Sequence, residues 1–291
     1  MACIGYTSNG VSGLLHRTAL RGMAARNVTQ TPPMTQAEPQ FSLRLAQTPE
    51  DVRAAARLRY RVFVEELGGD GALVDHDARL ERDRFDPFFD HLILVDDARD
   101  PALGDPVIGV YRLMRRDQAK RAGQFYSEDE FDLSILLESG RPLLELGRSC
   151  LHPDYRGGAA LMHLWQGLAA YVEEHGIEIL FGVASFHGTD IAPLAAPLSL
   201  LHHRHLAPPE LRVRARPAQY QSMDLMPEAD VDRAAAMRQV PALIKGYLRM
   251  GGRVGEGAFI DHAFNTTDVC LVMDTRHINE KMRALYTKAR G

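Results

Sequence analysis

Glu145 and Arg148 stand inside the leucine-rich run LLELGRSCLHPDYRGG, residues 143–158, which otherwise reads as a buried strand. In a regular strand Leu144, Leu146, Arg148 and Cys150 share one face while Glu145, Gly147 and Ser149 share the other, so the two charges point apart. A glycine inside a strand is a usual place for a bulge, and one extra residue at Gly147 brings Glu145 and Arg148 onto one face. The pair would then lie in a half-buried cleft, either as acid–base machinery or as a buried salt bridge. Desolvation raises the pKa of such a carboxylate towards the range useful to a general base, and a neighbouring guanidinium opposes that shift. Immediately downstream, Arg156, Gly157 and Gly158 fall between the strand and the first turn of a helix. Free backbone N–H groups and the helix dipole make an anion site there, although glycine also turns chains for purely structural reasons. Cys150 invites a nucleophilic role, but a strand cysteine with no histidine at a telling position is more often a small core residue.

Other charges interrupt apolar patterns. Arg59 and Arg112 do so in a helix and a strand respectively, and an arginine in such a place is usually paired. Asp83 and Asp86 sit in a polar loop, where they either cap and solvate the loop or act on function, holding a positive substrate or orienting Arg59. Phe63 reads as core, or as core that also walls an acyl pocket and contacts substrate. The span His202, His203, Arg204, His205 with Arg212, Arg214 and Arg216 is a solvated loop, or a basic patch for an acidic partner or anionic lipid. Its histidines lack i, i+4 placement and no thiolate accompanies them, so no metal site is expected.

The elements that must position these residues follow from periodicity and caps. FSLRLAQ alternates as a strand. TPEDVRAAARLRYRVFVEELGG is a helix with Thr48 as N-cap, Pro49 at the first position and Gly68 as the stop. HLILV and VIGVYRL are two strands after a loop from Gly69 to Asp90, and Ser127 and Glu130 have capping-box spacing before a short helix. AALMHLWQGLAAYVEEHG is an amphipathic helix ending at Gly176, and IEILFGVA is a central strand. QYQSMDLMP is a strand within a long connection, VPALIKGYLRMGG a helix, VGEGAFID and TDVCLVMD paired strands, and the tail from Asn279 a helix. Mixed strands and helices without a boundary linker predict one α/β domain over residues 41–291, with residues 1–40 a disordered leader.

The chain has 291 residues, 45% hydrophobic and 25% charged, enough for a substantial core. Its 34 basic and 38 acidic residues give a net charge of -4, which argues against a sequence-independent grip on nucleic acid. Cys3, Cys150 and Cys270 have no paired or metal-type spacing, so a reducing cytoplasmic compartment is expected. The stretch GLLHRTALRGMAARN is weakly amphipathic and basic, so peripheral contact with a membrane stays open.

HPDYRGG after a strand resembles the acyl-carrier loop of the GCN5-related N-acyltransferase (GNAT) fold. In that family it reads Arg-Gly-x-Gly-x-Gly/Ala, and here Ala159 and Leu161 stand where the later small residues belong. LRYRVFVEELG, ERDRFDPFFDHLIL, VIGVYRL and LELGRSCL are similar, in order and spacing, to the acyl-homoserine-lactone synthases. That resemblance puts Arg59, Phe63, Asp83, Asp86, Arg112, Glu145 and Arg148 on functional positions. Gly69 stands where those synthases usually carry Trp.

The second half, with ASFHGTD, LHHRHLAPPELR and LIKGYLRMGGRVGEGAFIDHAFNTTDVCLVMD, resembles the ornithine–acyl carrier protein N-acyltransferases of ornithine-lipid synthesis. The resemblance implies a GNAT-like α/β fold, a mixed central sheet flanked by helices. It also implies transfer of a 3-hydroxyacyl chain from acyl carrier protein to the α-amino group of L-ornithine, giving lyso-ornithine lipid. The phosphopantetheine would arrive on the carrier, with no resident cofactor. Glu145 would be the base, and backbone N–H groups of Ser149, Cys150 and Leu151 would receive the thioester oxyanion. Alternatives are another acceptor such as glutamine or glycine, a lactone synthase, or a non-catalytic carrier-binding module.

Overall fold

Local chemistry sets the element boundaries. The Thr48 hydroxyl accepts from the Asp51 N–H and the Asp51 carboxylate accepts from the Thr48 N–H, a reciprocal cap that starts the first helix. Gly68, Gly176 and Gly251 each take a positive φ just past a helical segment, where a side chain would be strained. The computed structural model describes residues 38–157 and 159–277. The predicted leader apart from its last three residues, Gly158 and the predicted tail helix therefore lie outside the described residues.

Strands are β1 (Phe41–Leu45), β2 (Asp90–Asp96), β3 (Val107–Arg115), β4 (Phe131–Asp132), β5 (Leu143–Leu151), β6 (Ile179–His187), β7 (Arg214–Ala215), β8 (Tyr220–Gln221), β9 (Arg253–Val254), β10 (Ala258–Asp261) and β11 (Thr266–Asp274). Helices are α1 (Pro49–Arg59), α2 (Arg116–Ala122), α3 (Ser134–Glu138), α4 (Ala159–Glu174), α5 (Ala195–His205), α6 (Arg233–Gln239) and α7 (Ala242–Met250). The main sheet runs β1-β2-β3-β5-β6-β11-β10-β8, with β9 on β11, and β4 pairs with β7 apart from it. Pairing is antiparallel except between β5 and β6, so the sheet is mixed, as expected.

The single parallel ladder is short. It joins Leu143, Leu144 and Glu145 to Ile179, Leu180 and Phe181, and no pairing continues beyond Glu145. The two strands part where Gly182 of β6 meets β5: a Cβ there would stand 2.2 Å from the Leu146 carbonyl oxygen. On one sheet face, Leu144, Leu146, Leu180 and Leu271 pack with Leu164 and Trp165 of α4 and Tyr247 of α7. The other face is split between a cluster under α1, with Val110 and Cys150, and one with Phe125, Phe181 and Cys270. The polar residues of interest lie between these two clusters.

Three expectations change. The helix predicted through to Gly68 is α-helical only to Arg59 and continues as a wider π-helical segment, Tyr60–Glu66. The Ser127–Glu130 capping box does not form: the Phe125 N–H donates instead to Glu128, and Ser127 and Glu130 turn inward. The span expected as a solvated loop begins inside α5, whose last turn carries His202, His203, Arg204 and His205. Adjacent histidines on this helix face Asp224 at 3.9 and 3.5 Å, and one ligand atom from each of the three lies within 4.8 Å of the others, a grouping that could hold a metal ion without the i, i+4 pattern on which none was expected.

Gly182→Ala should lower stability by about 1–3 kcal/mol, because the methyl can be seated only by pushing β6 away from β5. Urea denaturation checks this; unchanged stability would mean that the strands do not approach so closely.

Candidate active site

In the β3–β5 ladder Val110 pairs with Cys150 and Arg112 with Gly147, so Arg148 and Ser149 together oppose Tyr111. This is a bulge, and Arg148 carries it with φ +47°. The extra residue is Arg148 itself and not Gly147, but the consequence expected of it holds. Glu145, Arg148 and Cys150 lie on one face, and Leu144, Leu146 and Leu151 on the other.

Glu145 and Arg148 are not each other's partner, which corrects the expected pair. Arg148 donates through Nε to Glu81 at 3.0 Å and through Nη1 to the Tyr126 hydroxyl at 3.3 Å, and its Nη2 is 3.4 Å from Asp83. Arg59 binds Glu81 at 2.5 Å and Asp86 at 2.6 and 2.7 Å, and Arg112 binds Asp83 at 2.7 Å and Asp86 at 2.8 Å. Three guanidinium groups thus meet the carboxylates of Glu81, Asp83 and Asp86. Arg59, Arg112, Arg148 and Glu81 are all buried. Burial opposes the charge on each carboxylate, but the arginines outweigh it and hold Glu81, Asp83 and Asp86 below the usual range. Burial and then Arg59 push His91, beside Asp86, down to about 4.

Both readings of Asp83 and Asp86 are realised at once. Asp83 accepts from the Phe85 N–H and Asp86 from the Asp83 N–H, fixing the turn that aims them at the arginines. Phe63, in the π-helical segment, is fully buried, and the Arg148 guanidinium lies over its ring at 5.9 Å. Glu81, which connects Arg59 to Arg148, escaped the sequence reading. Its signal was faint, one more acid in a charged loop.

Glu145 is 1% exposed, not half-buried. Its carboxylate accepts from the Tyr126 N–H at 2.9 Å, from the Ser127 N–H at 2.6 Å and from the Ser127 hydroxyl. Burial raises its pKa, and the bonds from Ser127 and Tyr126 offset only part of that. Tyr126 therefore ties the two predicted residues together, its N–H on Glu145 and its hydroxyl under Arg148. Nearby, Nε and Nη2 of Arg112 have no hydrogen-bond partner among the described residues. Buried donors of this kind mark places where a ligand or water belongs.

Cys150 is wholly buried in the cluster under α1, which fits a small core residue and not a nucleophile. The His152 N–H returns to the Ile108 carbonyl, so strand alternation turns the Leu151 N–H towards the gap between β5 and β6. After β5, a short turn at Pro153–Tyr155 leads to Arg156 and to Gly157 with φ +78°. Arg156 binds Glu66 of the π-helical segment at 2.5 and 2.6 Å, which fixes the turn against that segment. Gly69 also has a packing reason: a Cβ there would lie 2.5 Å from the ring of Phe264, which also faces Arg148 at 5.1 Å. Phe264, from the β10–β11 connection, thus occupies space beside Gly69.

Residues 58–166 match the Acetyltransferase (GNAT) domain family. The L-ornithine N(alpha)-acyltransferase of Rhodobacter capsulatus is 58% identical over 85% of this chain and 95% of its own length. That of Brucella abortus is 43% identical over 84% and 88%. The chain belongs to the L-ornithine N(alpha)-acyltransferase family. Members of this family are acyltransferases, so the fold, the GNAT domain and the enzyme class expected from the sequence hold. Among solved structures, FeeM, an N-acyl amino acid synthase from uncultured soil microbes, is 12% identical with a TM-score of 0.46, covering 82% of this chain and 92% of that one. Among the described residues no helix is long and apolar enough to cross a membrane.

Glu81→Gln should destabilise the protein by about 3–5 kcal/mol at neutral pH, since it leaves Arg59 and Arg148 under-compensated in the interior. The folded-state pKa of Glu81 lies below its unfolded value, so its contribution is present above about pH 4.3 and disappears as pH falls through the folded value. The stability gap between variant and wild type should narrow in acid. A constant gap down to pH 3 in paired urea titrations would contradict an ionised Glu81.

Proposed function

We propose that this chain transfers an acyl group from a thioester on acyl carrier protein to the α-amino group of L-ornithine. The observation that carries the acceptor is the close relationship to enzymes of that name along nearly their whole length. The 3-hydroxyacyl donor and the lyso-ornithine lipid product extend that reading, and they place the reaction in the cytoplasm beside the membrane that receives the lipid.

The reaction forms one C–N bond and breaks one C–S bond. The α-ammonium gives up a proton before it attacks, the tetrahedral adduct gives up another, and the departing sulfur takes one, leaving a net proton released. Glu145 is the acceptor for the first proton, directly or through the Ser127 hydroxyl that donates to it. Its raised pKa makes it a better base than a surface carboxylate, while the oxyanion meets the Leu151 N–H; the Cys150 N–H, also expected to serve, faces β3 by the same alternation. The open donor edge of Arg112 suits the acceptor's carboxylate, because a guanidinium binds such a group through two parallel bonds. Arg59, Asp83, Asp86 and Phe63 hold Arg112 and Arg148 in place and need not touch substrate.

The donor's arm enters where β5 and β6 part, with its phosphate near Arg156, Gly157 and Gly158. The apolar pocket at this parting is lined by Tyr111, Leu146, Leu180, Gly182, Leu243 and Tyr247 and suits an alkyl chain. No resident cofactor is required by this scheme.

Purified protein with 3-hydroxyacyl-carrier protein and ornithine should yield N-acylornithine by mass spectrometry; no such product would overturn the assignment. Glu145→Gln should lower kcat by about 10²- to 10⁴-fold. It should also abolish the rise of kcat with pH, since the wild-type carboxyl must ionise and burial shifts that ionisation upward. Full kcat in a variant with a normal melting profile would reduce Glu145 to an anchor for the Tyr126–Ser127 turn.

A further inference from the structure

Three residues after Ser127 the chain buries a second acid, Glu130, which among the described residues forms no ion pair with an arginine. Carboxylate oxygens of Glu130, Asp261 and Asp268 lie within 4.8 Å of one another, and Glu130 and Asp268 are 6% and 1% exposed. Among the described residues none of the three forms an ion pair. Among the described residues Glu130 Oε2 and Asp268 Oδ1 have no hydrogen-bond partner. Around them, the hydroxyls of Ser185 and Thr266, 4% and 1% exposed, are likewise unpartnered. Ser185 faces Asp268 across the β6–β11 ladder, and both hydroxyls approach the Asp268 carboxylate closely enough to favour its charge without completing a bond. Asp261 is anchored by the N–H groups of Ala263 and Phe264.

Among the described residues no positive group pairs with these acids, and a buried cluster of acids with inward-facing hydroxyls calls for a cation that can donate several hydrogen bonds. The cluster adjoins the groups described above. The Glu130 N–H donates to the Ser127 carbonyl, and Glu130 is close enough to feel the charges of Asp268 and Arg148. Cys270 lies within reach of both Glu145 and Glu130, and, after burial, these two acids push its thiol up.

We propose that Glu130, Asp261 and Asp268, with Ser185 and Thr266, hold the side-chain ammonium of the acceptor amino acid. This rests on the ornithine reading above and supplies its regiochemistry. Ornithine presents two amines, of which a side-chain amine is intrinsically the more basic, about 10.4 against about 8 for an α-amine. An ammonium held by three carboxylates keeps its proton and its lone pair stays unavailable. The α-amine, on the Glu145 side, is the one left to attack. An ammonium's three donors suit the oxygens on offer, and its charge compensates acids that burial otherwise penalises.

The test compares ornithine with 2-aminopentanoic acid, which has the same carbon chain and no side-chain amine, in wild type, Asp268→Asn and Glu130→Gln. Wild type should prefer ornithine strongly. Each variant should lose about 10²- to 10³-fold in kcat/KM for ornithine, chiefly through KM, and its preference should collapse towards unity. Without ligand, Asp268→Asn should melt above wild type. Its folded pKa is raised, so the ionised carboxylate weakens the folded state at pH above the unfolded value. Added ornithine should raise the melting temperature of wild type only. Ornithine KM unchanged in both variants would overturn the site while leaving the acceptor standing. A wild type that prefers an acceptor without a side-chain cation would overturn both. Stabilisation of wild type, but not of Asp268→Asn, by Mg²⁺, Mn²⁺ or Zn²⁺ together with loss of turnover in chelator would make this a metal site and overturn the ammonium assignment.

Discussion

A single residue out of step in an interior strand decides what the two sides of this sheet can be. With Arg148 in the left-handed conformation, β5 changes parity midway, so Glu145 before it and Cys150 after it project to the same side. Without that step, either Glu145 would enter the leucine face under α4 or the distal half of the strand would turn its apolar residues away from it. A left-handed arginine is strained, at about 1–3 kcal/mol for such conformations. Its side chain meets Glu81, Tyr126 and Asp83, and those contacts over-determine the conformation.

Charge is handled in two opposite ways within one polar seam. On one side of Tyr126, three arginines neutralise three carboxylates, and only one edge of Arg112 is left without a partner among the described residues. The acids' low pKa values and the arginines' burial are two views of the same compensation. On the other side Glu130 and Asp268 are held above the usual carboxylate range by burial and by their acidic neighbours. The first arrangement is compensated within itself; the second, among the described residues, has no positive partner and is disfavoured at neutral pH until one is supplied. A protein that tolerates the second so close to the first has concentrated its instability where recognition occurs.

Much of this was legible in the sequence. Thr48, Pro49 and the glycines after helices announced their elements because caps act locally. The runs of β2, β3, β5 and β6 announced themselves because a buried strand needs unbroken apolar side chains. Spacing also brought Glu145 and Arg148 to one face, though it named Gly147 as the bulge. A glycine is the usual carrier of positive φ, and only the partners of Arg148 make that arginine the exception. The pairing of Arg148 with Glu81 was beyond reach, because it joins a strand to a loop far away in the chain. Ser127 and Glu130 misled for a related reason. Their spacing fits a helix cap, yet Glu145 across the fold outcompetes the local backbone for Ser127. The π-helical turn at Tyr60–Glu66 leaves no pattern of its own, since Leu58 and Val62 keep the i, i+4 spacing of an unbroken α-helix.

The aromatic beside Gly69 has a further consequence, in the order of synthesis. Phe264 sits between β10 and β11, and β11 is an inner strand that pairs with β6 along its whole length. Both leave the ribosome long after α1, β2, β3 and β5, which can already assemble Arg59, Arg112 and Arg148 with their carboxylates. The nascent chain must therefore carry a half-roofed arginine cluster and an open β6 edge until its C-terminal third emerges, a window in which the exposed edge could pair with the wrong strand.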